Sequence, residues 1–103
     1  MTPTELQRAL AQPEPPVVLD VRQPEELALA RLEGVLHVPM GEIPGRVDDL
    51  PRDRPLVVMC HHGVRSAHVV AFLRQAHGFE QVENLEGGID AWSCDVDPGV
   101  PRY

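Results

Sequence analysis

The residues with the most chemistry to offer sit together in the stretch MCHHGVRS, residues 59–66, where Cys60, His61, His62, Gly63, Val64, Arg65 and Ser66 follow one another directly. A cysteine reacts as its thiolate, and at an ordinary pKa of about 8.5 only a few per cent is ionised at neutral pH. Lowering that value by two units takes about 2.7 kcal/mol. A helix terminus supplies typically about 0.3–1 kcal/mol, so a helix dipole cannot do this alone. Gly63 can adopt backbone angles closed to other residues, which lets successive peptide N–H groups around it turn inward and form an anion-binding concavity. Charge-assisted bonds from those groups, with Arg65 nearby, supply the difference. The pattern points to Cys60 as an ionised nucleophile. The competing reading is a small buried hydrophobe at a strand end, a common place for a free cysteine; the company of Gly63 and Arg65 favours the nucleophile.

Such a loop must be held by the elements around it. TPTE at 2–5 has the form of a capping box, with Thr2 as N-cap, Pro3 in the first helical position and Glu5 reaching back, and opens a short helix to about Ala11. VVLDV at 17–21 reads as a buried strand, and Pro24 with Glu25 and Glu26 starts the helix PEELALA with acids at its positive end. LHVP at 36–39 is predicted as a second strand, IPGRVDDL at 43–50 as a weak helix, and LVVMC at 56–60 as the third and most buried strand. VRSAHVVAFLRQAH follows as the longest helix, stopped by Gly78. QVENL at 81–85 gives a fourth strand, and GGIDAW begins a last helix. Short apolar runs without alternation, separated by helices, indicate strands covered on both faces, an α/β domain with a largely parallel sheet. In such sheets ligands bind beyond the carboxyl ends of the strands, where CHHGVR falls.

A chain of 103 residues is expected to form a single domain over residues 1–103, so any active site must sit on this one scaffold. The net charge of −7 argues against nucleic acid, whose binding needs a basic stripe, and obliges any anion site to work by local geometry. No apolar run approaches the roughly 18 residues of a membrane span, and the first residues carry no signal core, so a cytoplasmic location is the expectation. Cys60 and Cys94, with 33 residues between them, form neither a disulfide framework nor a CxxC pattern, and both are expected to be free thiols.

Over residues 17–92 the sequence resembles the rhodanese-like family, sulfurtransferase domains that carry sulfur as a cysteine persulfide. The likeness rests on VLDVR, EGVLHVP, LVVMCHHGVRS and VENLEGGIDAW, above all on the C-x-x-G-x-R-S loop combined with L-x-G-G-I-x-A-W. It implies a three-layer sandwich with a central, mainly parallel sheet of four to five strands and helices on both faces. Four residues lie between Cys60 and Arg65, the six-residue loop of sulfurtransferases. The related phosphatases and arsenate reductases use one more residue, because their loop surrounds a tetrahedral oxyanion. The resemblance implies that the Cys60 thiolate attacks the outer sulfur of a donor such as thiosulfate or another persulfide. The loop residues His61, His62, Gly63, Val64, Arg65 and Ser66 then hold the persulfide until a thiol, a protein acceptor or cyanide takes it. The chemistry needs no metal and no organic cofactor.

The remaining residues divide between roles. Arg65 is expected to brace the loop carbonyls or to bring positive charge to the pocket. His61 and His62 either bind an anion and move protons or simply face water. A metal site from Cys60, His61, His62 and His68 is disfavoured, since adjacent histidines in a tight loop do not easily converge on one ion. Asp20 and Arg22, matching the family's D-V-R, are expected to tie loops together near the pocket. Gly87 and Gly88 allow a tight turn into the last helix, Trp92 belongs to the core, and Cys94 is either a resolving thiol or a packing or exposed residue. Arg31 stands at the family's usual histidine and His37 at its usual asparagine, and the edge strand many relatives place first is hardly present in MTPT. A phosphatase or arsenate reductase on the same fold is the enzymatic rival, and a non-catalytic binding module the rival of another class.

Overall fold

The computed structural model describes all 103 residues. In chain order the elements are α1 (Pro3–Leu10), β1 (Val17–Asp20), α2 (Pro24–Leu29), β2 (Leu36–His37), two 3₁₀ turns (Met40–Gly45 and Val47–Asp49), β3 (Leu56–Met59), α3 (Val64–His77), β4 (Val82–Asn84) and α4 (Gly88–Asp95). The Thr2 hydroxyl accepts from Glu5 N–H and the Glu5 carboxylate accepts from Thr2 N–H, so the capping box forms as the sequence suggests. Gly78 ends α3 in the left-handed region at φ 67°.

The four strands form one parallel sheet in the order β2-β1-β3-β4. Alternate strand residues feed two separate cores. Leu19, Val21, Val58, Cys60 and Val82 pack with Val69, Val70 and Leu73 of α3 and with Ile43, Val47 and Leu50 of the 3₁₀ turns. Val18, Val57, Met59 and Leu85 pack on the other face with Leu6 of α1 and Ile89 and Trp92 of α4. Both faces of the two central strands, β1 and β3, therefore meet apolar side chains, which is why VVL and LVVM read as continuous hydrophobic runs instead of alternating ones.

Two expectations are corrected. The predicted strand at 36–39 pairs regularly only over Leu36–His37. Val38 N–H still donates to Asp20 O at 3.0 Å and Met40 N–H to Val21 O at 2.9 Å, but Met40 already opens a 3₁₀ turn and the strand goes no further. The weak helix expected at 43–50 is instead the pair of 3₁₀ turns, with Pro44 inside the first. No strand precedes α1, and the sheet has four strands.

The strand order fixes where a site can form. The chain leaves β1 for β2 on one side, then returns past β1 to β3 on the other, so a crevice opens between the carboxyl ends of β1 and β3. Asp20 and Arg22 leave the first of these strands and Cys60 the second.

Candidate active site

The loop from Cys60 to Gly63 joins the most buried strand to the longest helix, and its direction of turn is set from outside. Ile89 N–H donates to Cys60 O at 2.9 Å and Asp90 N–H to His61 O at 3.1 Å, so the first turn of α4 holds both carbonyls outward. Asn84 Nδ2 donates to Gly63 O at 3.1 Å. With the carbonyls committed elsewhere, the amide hydrogens are left to face the sulfur: Gly63 N–H lies 3.1 Å and Ser66 N–H 3.4 Å from Cys60 Sγ. Gly63 manages this turn at φ 98°, the left-handed region that disfavours a side chain. Gly88 is required for a different reason. A Cβ there would stand 2.4 Å from both the Cys60 and His61 carbonyl oxygens, closer than any real contact.

Cys60 is 1% exposed, an enclosed sulfur and not a thiol standing free on a loop. Burial alone pushes its pKa up. The N–H groups of Ser66, Gly63 and His62, and the Ser66 hydroxyl 3.2 Å away when it donates to the thiolate, more than offset this, and the net shift is below the ordinary value. The cup therefore favours negative charge on a sulfur that water hardly reaches.

Arg65 does not brace the loop carbonyls. Its Nη1 and Nη2 both donate at 2.7 Å to the two carboxylate oxygens of Glu26 on α2, a bidentate pair. Arg65 stands in the first turn of α3, and from there its side chain reaches α2. Arg65 holds Glu26 at a pKa of about 2, the largest lowering effect on that carboxyl. Arg65 thus brings a compensated charge to the loop, and α3 is tied to α2.

Asp20 and Arg22 are both fully buried and make the ion pair on which this corner depends, with Nε and Nη2 donating to the Asp20 carboxylate at 3.0 and 2.8 Å. The remaining guanidinium N–H groups reach Ala30 O at 2.9 Å, Glu26 O at 3.4 Å and the Tyr103 hydroxyl at 2.9 Å, so every donor is used. The pair joins the end of β1 to both ends of the α2 segment, the loop-tying role expected of it. His37 Nε2 donates to Arg22 O at 2.7 Å and secures the same corner from β2.

Sequence reasoning missed Glu26, Asn84 and Tyr103 as partners of the site. The Tyr103 hydroxyl accepts from Arg22 and donates to Glu26 Oε1 at 2.8 Å, completing the coordination of the carboxylate that clamps Arg65. Its ring lies 3.8 Å from that of His61 at an interplanar angle of 6°, and the His62 ring lies 3.8 Å from His61 on a tilt. His61 is therefore stacked, not facing water, and its Nε2 is buried without a hydrogen-bond partner. Burial, followed by the charge of His62, lowers its pKa. His62 and Val64 are exposed beside the loop, Val64 at 65%. His68 lies exposed along α3, and nowhere do three potential ligands among His, Cys, Asp and Glu converge on a metal position. Cys94 is exposed on α4, and Trp92 is buried in the core as expected.

Comparison with known proteins bears on the family and the fold. Residues 2–95 match the family model of the rhodanese-like domain. A protein of Allochromatium vinosum named sulfurtransferase is 40% identical over 88 residues, which cover 85% of this chain and 81% of that one. The crystal structure of a rhodanese-related protein from Thermoplasma volcanium is 32% identical and superposes with a TM-score of 0.85, covering 100% of this chain and 97% of that one. The adenylyltransferase and sulfurtransferase MOCS3 of Drosophila ananassae is 29% identical over 93% of this chain, a stretch that makes up 23% of that protein.

Proposed function

The chain belongs to the rhodanese-like domain family and has a sulfur-transfer role, and from that premise we propose that Cys60 carries the sulfur as a persulfide. The thiolate attacks the outer, sulfane sulfur of a donor such as thiosulfate. A bond forms between Sγ and that sulfur while the donor's S–S bond breaks, and the electron pair leaves with sulfite. In the second half of the cycle an acceptor thiol, free or on a protein, or cyanide attacks the outer sulfur and Cys60 leaves as thiolate. His61, His62, Gly63, Val64, Arg65 and Ser66 form the walls within which the added sulfur is held. Asp20 and Arg22 support them through α2. No electron carrier enters the balance, because each step exchanges one sulfur–sulfur or sulfur–carbon bond for another.

The single observation that carries this reading is the enclosure of Sγ, 1% exposed with the Gly63 and Ser66 amide hydrogens aimed at it. Amide hydrogens gathered on one atom suit the negative charge of a thiolate or persulfide sulfur. A tetrahedral oxyanion needs several more donors spread around a wider ring, which favours sulfur transfer over the phosphatase or arsenate reductase chemistry of related folds. A relative in which the matching stretch is a small part of a longer protein supports a protein-borne acceptor.

Intact-mass measurement after incubation with thiosulfate tests the proposal. The expected result is a gain of one sulfur atom, mapped by peptide analysis to Cys60 and not Cys94, and removed by cyanide. Phosphate release from an aryl phosphate with no sulfur uptake would place the protein with the phosphatases, and neither activity would make it a binding module.

A further inference from the structure

The Ser66 hydroxyl is completely buried and stands between two groups that compete for it. Cys60 Sγ lies 3.2 Å from Oγ on one side, and Asn84 Oδ1 lies 2.5 Å from it on the other. The orientation of the Asn84 amide follows from its second contact. Gly63 O can only accept, so the group facing it at 3.1 Å must be the amide nitrogen, and the oxygen must face Ser66. A hydroxyl has a single proton, and Oδ1 has none to give. The Ser66 proton therefore goes to Asn84 in the resting arrangement, and Oγ turns a lone pair toward the sulfur. That lone pair accepts a hydrogen bond from a thiol but repels a thiolate.

We infer that Asn84 is a positioning residue that decides where the Ser66 proton points, holding Cys60 as a thiol at rest and releasing the hydroxyl to stabilise the sulfur anion only during transfer. The inference rests on Cys60 as the sulfur-carrying group and adds to it a means of changing state. When the thiol proton leaves to solvent, the Oγ–H rotates from Oδ1 to Sγ; Ser66 and Asn84 neither gain nor lose an atom. The rotated hydroxyl joins the amides of Gly63 and Ser66 as a donor to the thiolate. When the sulfur becomes neutral again, the hydroxyl returns to Asn84. The other groups that act on this sulfur are Arg65 of α3, neutralised by Glu26 of α2, and the loop residues His61 and His62; beyond them Asp90 of α4 and Tyr103 act through His61. None of these is in hydrogen-bond contact with Ser66 Oγ, so their influence is the same whichever way the hydroxyl points.

The test is a double-substitution cycle in a Cys94→Ser background, reading the pH midpoint of Cys60 from its ¹³Cβ resonance in cysteine-labelled protein. Asn84→Ala frees the hydroxyl for the thiolate and is expected to lower the midpoint by about one pH unit. In a Ser66→Ala background the same change is expected to leave the midpoint where Ser66→Ala alone puts it. Asn84→Leu, close in volume and without an acceptor, serves if the alanine variant folds poorly; its midpoint is expected to fall likewise, and to stay unchanged in the Ser66→Ala background. Equal shifts with and without Ser66 would reduce Asn84 to a brace for the Gly63 carbonyl and overturn the inference, as would a rise in both substitutions at position 84. The titration needs no sulfur donor. Absence of sulfur uptake with the coupling intact would therefore count against the transfer reading alone, and uptake without coupling against Asn84 alone.

Discussion

Cys60→Ser is expected to abolish sulfur uptake while leaving the fold in place. The replacement is nearly isosteric, and a serine oxygen can accept from the same Gly63 and Ser66 amides, so the loop has no reason to rearrange. The reactivity cannot survive. A hydroxyl ionises far above a free thiol, by about seven units, and closing that gap requires about 10 kcal/mol. Charge-assisted hydrogen bonds are worth about 1.5–3 kcal/mol each, so the few donors around this position fall short. Intact mass after thiosulfate should show no added sulfur, and thermal unfolding should stay within a few degrees of the wild type. An unchanged gain of sulfur in this variant would move the reaction to Cys94 and remove the loop from the mechanism.

Gly88→Ala is expected to reduce the rate of sulfur uptake by about 100-fold. Two effects combine at this position. The backbone sits at φ 62°, where an L side chain costs about 1–2 kcal/mol. The new Cβ would also press to 2.4 Å from the carbonyl oxygens of Cys60 and His61, which are backbone atoms and cannot swing aside. Relief requires the loop to back away from α4 by the better part of an ångström, and the Gly63 and Ser66 amides move with it. Displacements of about 1 Å in a catalytic group commonly cost about two orders of magnitude. Gly34→Ala separates the two effects. Gly34 has φ 74° and nothing within 4 Å of its added Cβ, so it should suffer the backbone strain alone and keep full activity. Stopped measurements of sulfite release from both variants, beside their melting temperatures, give the comparison. Equal losses of rate in the two would show that strain and not the loop contact is responsible.

The sequence was informative where local rules operate. Thr2, Pro3 and Glu5 mark the first helix because a capping box satisfies its own donors within one turn, and Gly78 marks the end of α3 because few other residues take its angles. The strand-to-helix junction at Cys60 was visible from the apolar run before it and the glycine after it. The partners of the loop were not visible, because they arrive through topology. Glu26 lies 39 residues from Arg65, Tyr103 lies 77 from Glu26, and Asn84 lies 18 from Ser66. Arg65 was expected to brace the loop carbonyls or to bring positive charge to the pocket, but the carbonyls of Cys60 and His61 are already taken by Ile89 and Asp90, and the guanidinium pairs with Glu26. A usable signal existed for Asn84 alone: a polar residue ending a short strand, next in the sheet to the strand that carries the cysteine. The stacking of His61 under Tyr103 depends on how residues 97–103 return over α4, through Val100 in the core and Arg102 on Asp90, and no local pattern announces it.

All of this depends on whether the cup around Sγ holds negative charge. The direct measurement is the pH titration of thiolate absorbance in the ultraviolet, taken as the difference between wild type and Cys60→Ser so that Cys94 and the tyrosine cancel. Amide hydrogens aimed at an enclosed sulfur predict a midpoint below the value of about 8.5 for an unstructured cysteine. A midpoint at or above that value would mean that burial outweighs the donors, and would contradict the account.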